Sequence, residues 1–268
     1  MPARRSRSLA ALVPTLALAL AACGGPVGTP DPQPPGDARL FLAVGGGSEA
    51  GLYALNATSG ASTLVAAGIP TSSQAPAMGL APGAASADPL LAVHTNALYA
   101  IEPGPQAPTT IAASLGTYGE ALAHDAETGT LYVGVNGFLF RHRASDGEQV
   151  DTVLSPPNQP DMEGLAFDPV ERVLYGIARG FPDTHPDAYR SLYVLAVEAV
   201  DPAWSEVGDT GGHWADAGLA FDPDARVLYA VGRFDDTGGL YRIEPTTGAT
   251  TRVGSTGLAG AFGGLAWR

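Results

Sequence analysis

The sequence predicts an all-β protein, a five-bladed β-propeller made of four-stranded antiparallel blades. Three observations lead to this prediction: a repeated hairpin motif, a repeat interval typical of propeller blades, and two chain ends that complement each other. Residues 162–177, MEGLAFDPVERVLYGI, recur almost letter for letter at 216–231 as DAGLAFDPDARVLYAV. A third, more divergent copy begins at Glu120. Apolar segments of about five residues are too short for helices and indicate strands.

Each copy has the pattern of two successive β-hairpins. Asp-Pro, Asp-Gly or Thr-Gly separates the apolar segments, and these residues favour turns. Pro presets φ, Gly accepts positive φ, and Asp bonds its own backbone. The second hairpin begins with a Leu-Tyr or Leu-Phe segment, as in LYRIE at 240–244. Four strands per unit make one propeller blade.

The spacing of the units and the two ends of the repeat region predict a closed ring. The first strand recurs at intervals of 42, 43, 54 and 46 residues, and blades repeat every 40–50 residues or so. Residues 39–68 provide three strands, whereas 262–267 provide a lone first strand. We expect this C-terminal strand to join the N-terminal blade, because the pairing removes an open sheet edge. The recurring first strands begin at Gly79, Ala121, Gly164, Gly218 and Gly264.

The repeat also resembles a known class of sequences. Gly-Leu-Ala-Phe-Asp-Pro, then Leu-Tyr, then Leu-Tyr-x-Ile-x-Pro-x-Thr-Gly is similar to bacterial propeller repeats of the YVTN and NHL type, over residues 39–268. The resemblance implies the fold and leaves the function open, because such repeats serve binding proteins, scaffolds and some hydrolases. Those proteins usually have six or seven blades, so a count of five departs from their pattern.

Residues 1–22 have the pattern of a secretory signal peptide. A basic start precedes an apolar run, residues 9–20, that is too short to span a bilayer. The following Leu-Ala-Ala-Cys-Gly resembles the lipobox of bacterial lipoproteins, which implies cleavage before Cys23 and its lipidation. Cys23 is the only cysteine of the chain; the alternative is an ordinary signal with an incidental cysteine. A lipoprotein would be held in the cell envelope, at the outer membrane of a Gram-negative cell.

The rest of the composition narrows the classes of partner. Residues 23–38 form a lipidated cysteine and a Pro/Gly-rich linker, which we expect to be an extended spacer before the propeller at 39–268. The chain has 14 basic and 27 acidic residues, a net charge of −13 and no lysine. Such a surface makes nucleic acid and anionic lipid poor partners. The acidity either serves solubility alone or favours a cation or a basic partner.

Three acidic residues are candidate metal ligands. In a propeller, the loops that enter the first strands share one face with the loops between second and third strands, here called the channel face. Glu120, Glu163 and Asp216 reach it from three consecutive blades. Converging carboxylates repel unless a cation or proton joins them, and oxygen ligands suit Ca²⁺. Alternatively, these acids are solvated or bond adjacent backbone N–H groups.

The same loops contain candidate ligand-binding residues. Trp and Tyr offer stacking area with a polar tip, although Trp214 would equally suit packing between blades. A long insertion, 180–190, is predicted to overhang this face. The candidates are Tyr118, Asn136, Arg179, His213, Trp214, Arg233 and Phe234.

The preferred functional interpretation is a non-enzymatic, lipid-anchored propeller that binds a small ligand, an envelope protein or a glycan through its channel face. The first alternative is a calcium-dependent hydrolase or lactonase, because propeller lactonases use similarly placed glutamates and Glu163-Gly164 resembles theirs. The second alternative is a passive assembly scaffold. The preferred interpretation requires no cofactor.

Overall fold

The computed structural model describes residues 38–45, 47–69, 78–156, 159–178, 191–212, 214, 216–232, 238–259 and 261–268. In these ranges the chain forms twenty strands and one short 3-10 turn, Gly47–Glu49. The strands make five four-stranded antiparallel sheets, so the predicted five-bladed propeller is confirmed.

The strands follow the chain blade by blade. The blade that closes the ring, blade 5, contains β1 (Leu40–Gly45), β2 (Gly51–Leu55) and β3 (Ser62–Ala67). Blade 1 contains β4 (Met78–Ala81), β5 (Leu90–His94), β6 (Ala97–Ile101) and β7 (Thr109–Ala112). Blade 2 contains β8 (Ala121–Asp125), β9 (Thr130–Val135), β10 (Phe138–Arg143) and β11 (Gln149–Leu154). Blade 3 contains β12 (Met162–Asp168), β13 (Val173–Ala178), β14 (Ser191–Ala196) and β15 (Ser205–Asp209). Blade 4 contains β16 (Gly218–Asp222), β17 (Val227–Gly232), β18 (Gly239–Ile243) and β19 (Thr250–Ser255), and β20 (Ala261–Trp267) returns to blade 5.

The C-terminal strand closes the ring as the sequence predicts. Blade 5 has the strand order β20-β1-β2-β3. β20 pairs antiparallel with β1, with Leu40 opposite Trp267 and Leu42 opposite Leu265. Beyond the last strand, the Arg268 N–H donates to the Arg39 carbonyl at 2.7 Å. Two strand edges that would otherwise be open are therefore paired.

The apolar core lies between the blades. Buried hydrophobic residues fall into five clusters, each shared by two neighbouring blades. At the interface of blades 1 and 2, for example, Val93 and Leu98 pack with Leu122 and Val133. Burial of these faces, at about 25 cal/mol per Å² of apolar surface, is what holds the ring together.

Two circular layers of residues close the axis: one layer of Gly and Ala, and one layer of Leu, here called the leucine ring. Each inner strand carries Gly or Ala followed by Leu, and all five leucines are at most 2 % exposed. A Cβ on Gly264 would lie 1.9 Å from the Leu80 backbone nitrogen of the next blade, so only glycine permits this approach. The space between these two layers has no room for a water molecule. The five leucines are Leu80, Leu122, Leu165, Leu219 and Leu265.

Candidate functional site

The described residues include some of the predicted site residues. Tyr118, Glu120, Asn136, Glu163, Trp214 and Asp216 are among them. Cys23, the signal peptide and most of the linker lie outside the described residues, as does the insertion at 180–190. Four further ligand-binding candidates also lie outside: Arg179, His213, Arg233 and Phe234.

The two predicted glutamates lie at the same end of the axis. Glu120 and Glu163 both line the narrow space above the leucine ring. Glu163 is only 8 % exposed, and its Oε2 accepts the backbone N–H of Asp216 at 3.2 Å. Asp216 itself has a left-handed φ of 52°. One carboxylate oxygen of blade 3 therefore holds the loop that enters blade 4, which is the backbone role named above as the alternative to metal binding.

The described ranges contain no group of three or more His, Cys, Asp or Glu side chains that could hold a metal ion. Binding of Ca²⁺ by Glu120, Glu163 and Asp216 stays a prediction.

Tyr118 is displayed at the channel face. It is 65 % exposed, and the next residue is fixed by a 2.8 Å hydrogen bond from the Gly119 N–H to the Thr95 carbonyl. Thr95 has a φ of 55°, an unusual conformation for a β-branched residue. Strained backbone persists where the surrounding structure enforces it, often at binding sites. The loop that presents Tyr118 is thus held in a defined position.

Asn136 lies in a tight turn on the same face. Asn136 and Gly137 have φ values of 48° and 77° and join β9 to β10. Asn-Gly is the preferred pair for a two-residue hairpin turn of this hand. The Gly137 N–H lies 3.3 Å from Oδ1 of Asp161, on the loop that enters blade 3. The exposed Asn136 side chain is therefore carried by a rigid turn tied to the next blade.

Trp214 lies in the core. It is fully buried, its Nε1–H donates to the Thr210 hydroxyl at 2.6 Å, and its ring packs edge-on against Tyr241 at 5.5 Å. A buried Trp with its N–H satisfied is a packing residue. Its ring is accordingly not presented at the surface, in contrast to Tyr118.

The opposite end of the axis, here called the back face, carries a feature that the sequence analysis missed. One residue from each inner strand follows the Leu-Ala pair and reaches this face. The position could have been found by aligning the five copies, because four of the five residues there have large rings. They are Pro82, His124, Phe167, Phe221 and Trp267.

Three of these side chains, two Phe and one Trp, form equivalent stacks at consecutive blade interfaces. A tyrosine of the preceding blade lies with its centroid 5.4–6.0 Å from the ring. An arginine guanidinium of the ring's own blade lies 5.1–5.6 Å from the ring centroid, a cation–π distance. The stacks are Tyr132 with Phe167 and Arg172, Tyr175 with Phe221 and Arg226, and Tyr229 with Trp267 and Arg39.

The same arginines form ion pairs with the preceding blade. Arg172 reaches buried Asp125 at 2.7 Å and Arg226 reaches buried Asp168 at 2.8 Å. Arg39 instead pairs with the exposed Asp224 at 2.6 Å, two residues beyond Asp222, which is the repeat equivalent of Asp125 and Asp168. Burial alone would raise the pKa of Asp125, but hydrogen bonds from Arg172 and Thr128 outweigh it and lower the pKa below its ordinary value.

A pocket of about 240 Å³ opens at the centre of the back face. The inner-strand rings line it together with the segment 82–86 and Arg268. A smaller cavity of about 30 Å³ lies between these inner-strand side chains and the five leucines that close the axis. The pocket is mostly apolar, and two of the inner-strand side chains that line it carry ring nitrogens, His124 and Trp267.

The protonation of His124 follows from its contacts. Its Nδ1 lies 2.9 Å from the Pro82 carbonyl oxygen, which can only accept, so Nδ1 carries a proton. Burial lowers the pKa of His124, and the bond to Pro82 and nearby Asp125 offset this only in part. The imidazole is therefore neutral at pH 7, with a lone pair on Nε2.

In the part of the chain that the structure describes, no helix has the length and hydrophobicity needed to cross a membrane.

Comparisons with known proteins reveal a shared fold. No family model matches the chain, and no curated protein matches it. A structure of a nidogen/laminin complex aligns over 85 % of this chain and 97 % of that chain, with a TM-score of 0.55 and 11 % identity. A putative TolB from Agrobacterium tumefaciens aligns over 65 % of this chain and 60 % of its own, with a TM-score of 0.44 and 12 % identity. The chain thus spans less than two thirds of that TolB. The nidogen/laminin likeness agrees with a β-propeller fold and extends no further.

Proposed function

We propose that the protein is a lipid-anchored, extracytoplasmic binding protein whose channel face binds a small ligand or a partner protein. The observation that carries the proposal is Tyr118, which is 65 % exposed at that face. Exposed tyrosines are enriched at binding interfaces, since they offer a large rigid surface with a polar tip. The leucine ring fills the axis below, so a bound partner would rest on the face instead of entering the channel.

Two features of the backbone support the same face. Thr95 and Asp216 both hold left-handed conformations there, and each is fixed by a bond that crosses between blades. Loops held in this way present their side chains with little entropy left to lose on binding. The acidic composition favours a partner that is neutral or basic.

Lipidation of Cys23 is expected to place the propeller at the membrane. Growth with labelled palmitate should label the wild-type chain and the linker variant Thr29→Ala, but not Cys23→Ala. The reason is that Cys23 supplies the only thiol for acylation. Label that persists in Cys23→Ala would contradict the proposed anchor.

Site-specific crosslinking tests the binding face. A benzoylphenylalanine that replaces Tyr118 in the full chain is expected to form discrete crosslinked adducts with a partner in cell-envelope preparations. The control is the same photoreactive residue at Val200, which is fully exposed in the turn after β14, away from the channel face. Equal adduct patterns from both positions would argue against a binding role for the channel face.

A further inference from the structure

The back-face pocket is formed by a local change in the repeat. Three of the five blade interfaces are filled by the stacks of tyrosine, ring and arginine. At the position of Asp168 and Asp222, blade 1 has Gly83, and at the position of Arg172 and Arg226, blade 2 has Gly129. Since neither glycine can form the ion pair, the stack is missing at the interface of blades 1 and 2. The space is bounded on this side by residues 82–86 and by His124.

The volume suits a small flat molecule. The pocket measures about 240 Å³. An apolar cavity of about 150 Å³ in another protein accommodates benzene, so this pocket has room for about two fused rings. Phe167, Phe221 and Trp267 are already contacted across their faces by tyrosine and arginine. We infer that they turn their edges toward the pocket. Ring edges are electropositive and pair with the face of another aromatic ring.

The polar groups specify the rest of the ligand. His124 is 7 % exposed, and its Nε2 has no hydrogen-bond partner in the described part of the chain. As an acceptor, Nε2 suits a ligand with an N–H or O–H group. The acidic groups at the rim, Asp224 and Glu127, are paired with Arg39 and Arg172. The guanidinium of Arg268 donates to the Ser86 carbonyl. Because the two rim acids are already paired with arginines, they attract a cation less, which favours a neutral ligand over a cationic one.

We propose that the back-face pocket binds a small, neutral, planar aromatic compound with one hydrogen-bond donor, of the indole or phenol class, and that Nε2 of His124 accepts this donor. The site lies at the end of the axis opposite the channel face, so it is independent of the function proposed above.

Calorimetric titration of the full chain with three matched probes tests the proposal. Indole and 3-methylindole both retain the N–H donor, whereas 1-methylindole has the same size as 3-methylindole and lacks the donor. We expect saturable 1:1 binding of the first two and about tenfold weaker binding of 1-methylindole, the usual effect of one lost hydrogen bond. Absence of saturable indole binding, or equal weakening by both methyl groups, would overturn it.

Two variants assign the binding to this pocket. His124→Leu should remove the preference for 3-methylindole over 1-methylindole, because the acceptor is gone and the apolar walls remain. Tyr118→Ala changes the channel face and should leave indole binding as in the wild type. Loss of indole binding in Tyr118→Ala would refute the assignment to the back face. If His124→Leu does not fold, the comparison of the three probes on the wild-type chain still decides the question.

Discussion

Replacing Gly264 with alanine is expected to destabilise the protein strongly. The new Cβ would lie 1.9 Å from the backbone nitrogen of Leu80 and 2.5 Å from its Cβ. These atoms belong to the inner strand of the neighbouring blade, so relief requires two strands to move apart. Overpacking usually costs 1–3 kcal/mol, and a clash with backbone should cost more than about 3 kcal/mol.

Urea unfolding followed by circular dichroism measures this effect. The matched control is Gly134→Ala, where the nearest atom is the Leu165 Cδ1 at 3.3 Å, the end of a side chain that can shift. We expect the control to lie within about 1 kcal/mol of the wild type. An unchanged urea midpoint for Gly264→Ala would show that the inner strands are not held at the described distance.

Arg172→Met is expected to cost about 3 kcal/mol, because it leaves the Asp125 carboxylate buried without its partner. The side chain of Asp125 is 1 % exposed and that of Arg172 is 23 % exposed. The substitution also removes the contact with Glu198 at 2.8 Å and the stacking on Phe167. The partial exposure of the guanidinium places the effect at the lower end of values for buried pairs.

The pH dependence separates the ion pair from the stacking. In the wild type the pKa of Asp125 is lowered, so its stabilisation is present above about pH 4 and is lost as the pH falls through the native pKa. In the Arg172→Met variant, burial should raise the pKa of Asp125. Protonation of Asp125 as the pH falls then removes its unpaired buried charge, so the variant is less destabilised relative to the wild type.

Urea unfolding at pH 7 and pH 3.5 should therefore give a smaller difference between the two proteins at the lower pH. The control is Arg143→Met, whose partners Asp146 and Glu148 are exposed, and we expect no measurable change. A difference that is independent of pH would assign the effect to lost stacking.

The fold follows from local features of the sequence. Turn residues and short apolar segments repeat within each unit, and the interval between units equals one blade. The pairing of β20 with β1 was also predictable, because three strands at one end and one at the other leave a single way to complete a blade. These inferences depend on residue types and their spacing along the chain, and they need no knowledge of contacts between blades.

The site depends on contacts between blades, which spacing does not determine. The sequence placed Glu163 in a loop that enters blade 3, but its bond to the Asp216 N–H depends on how blades 3 and 4 are positioned along the axis. Trp214 precedes its strand by a few residues, and whether such a ring turns inward or outward depends on space beside Tyr241. The back-face pocket arises where blade 1 lacks the aspartate and blade 2 lacks the arginine of the repeat. A comparison that looks for shared residues does not detect such missing groups.

The pairing of β1 with β20 has a consequence for how the protein is made. Leu40 is among the first residues of the domain to leave the ribosome, and its partner Trp267 is among the last. Until then β1 has no inner neighbour, so the nascent chain cannot complete its ring early. Contacts this distant in sequence also form slowly. Closure of the ring is therefore expected to be the last step of folding, after the four blades made of consecutive strands have formed.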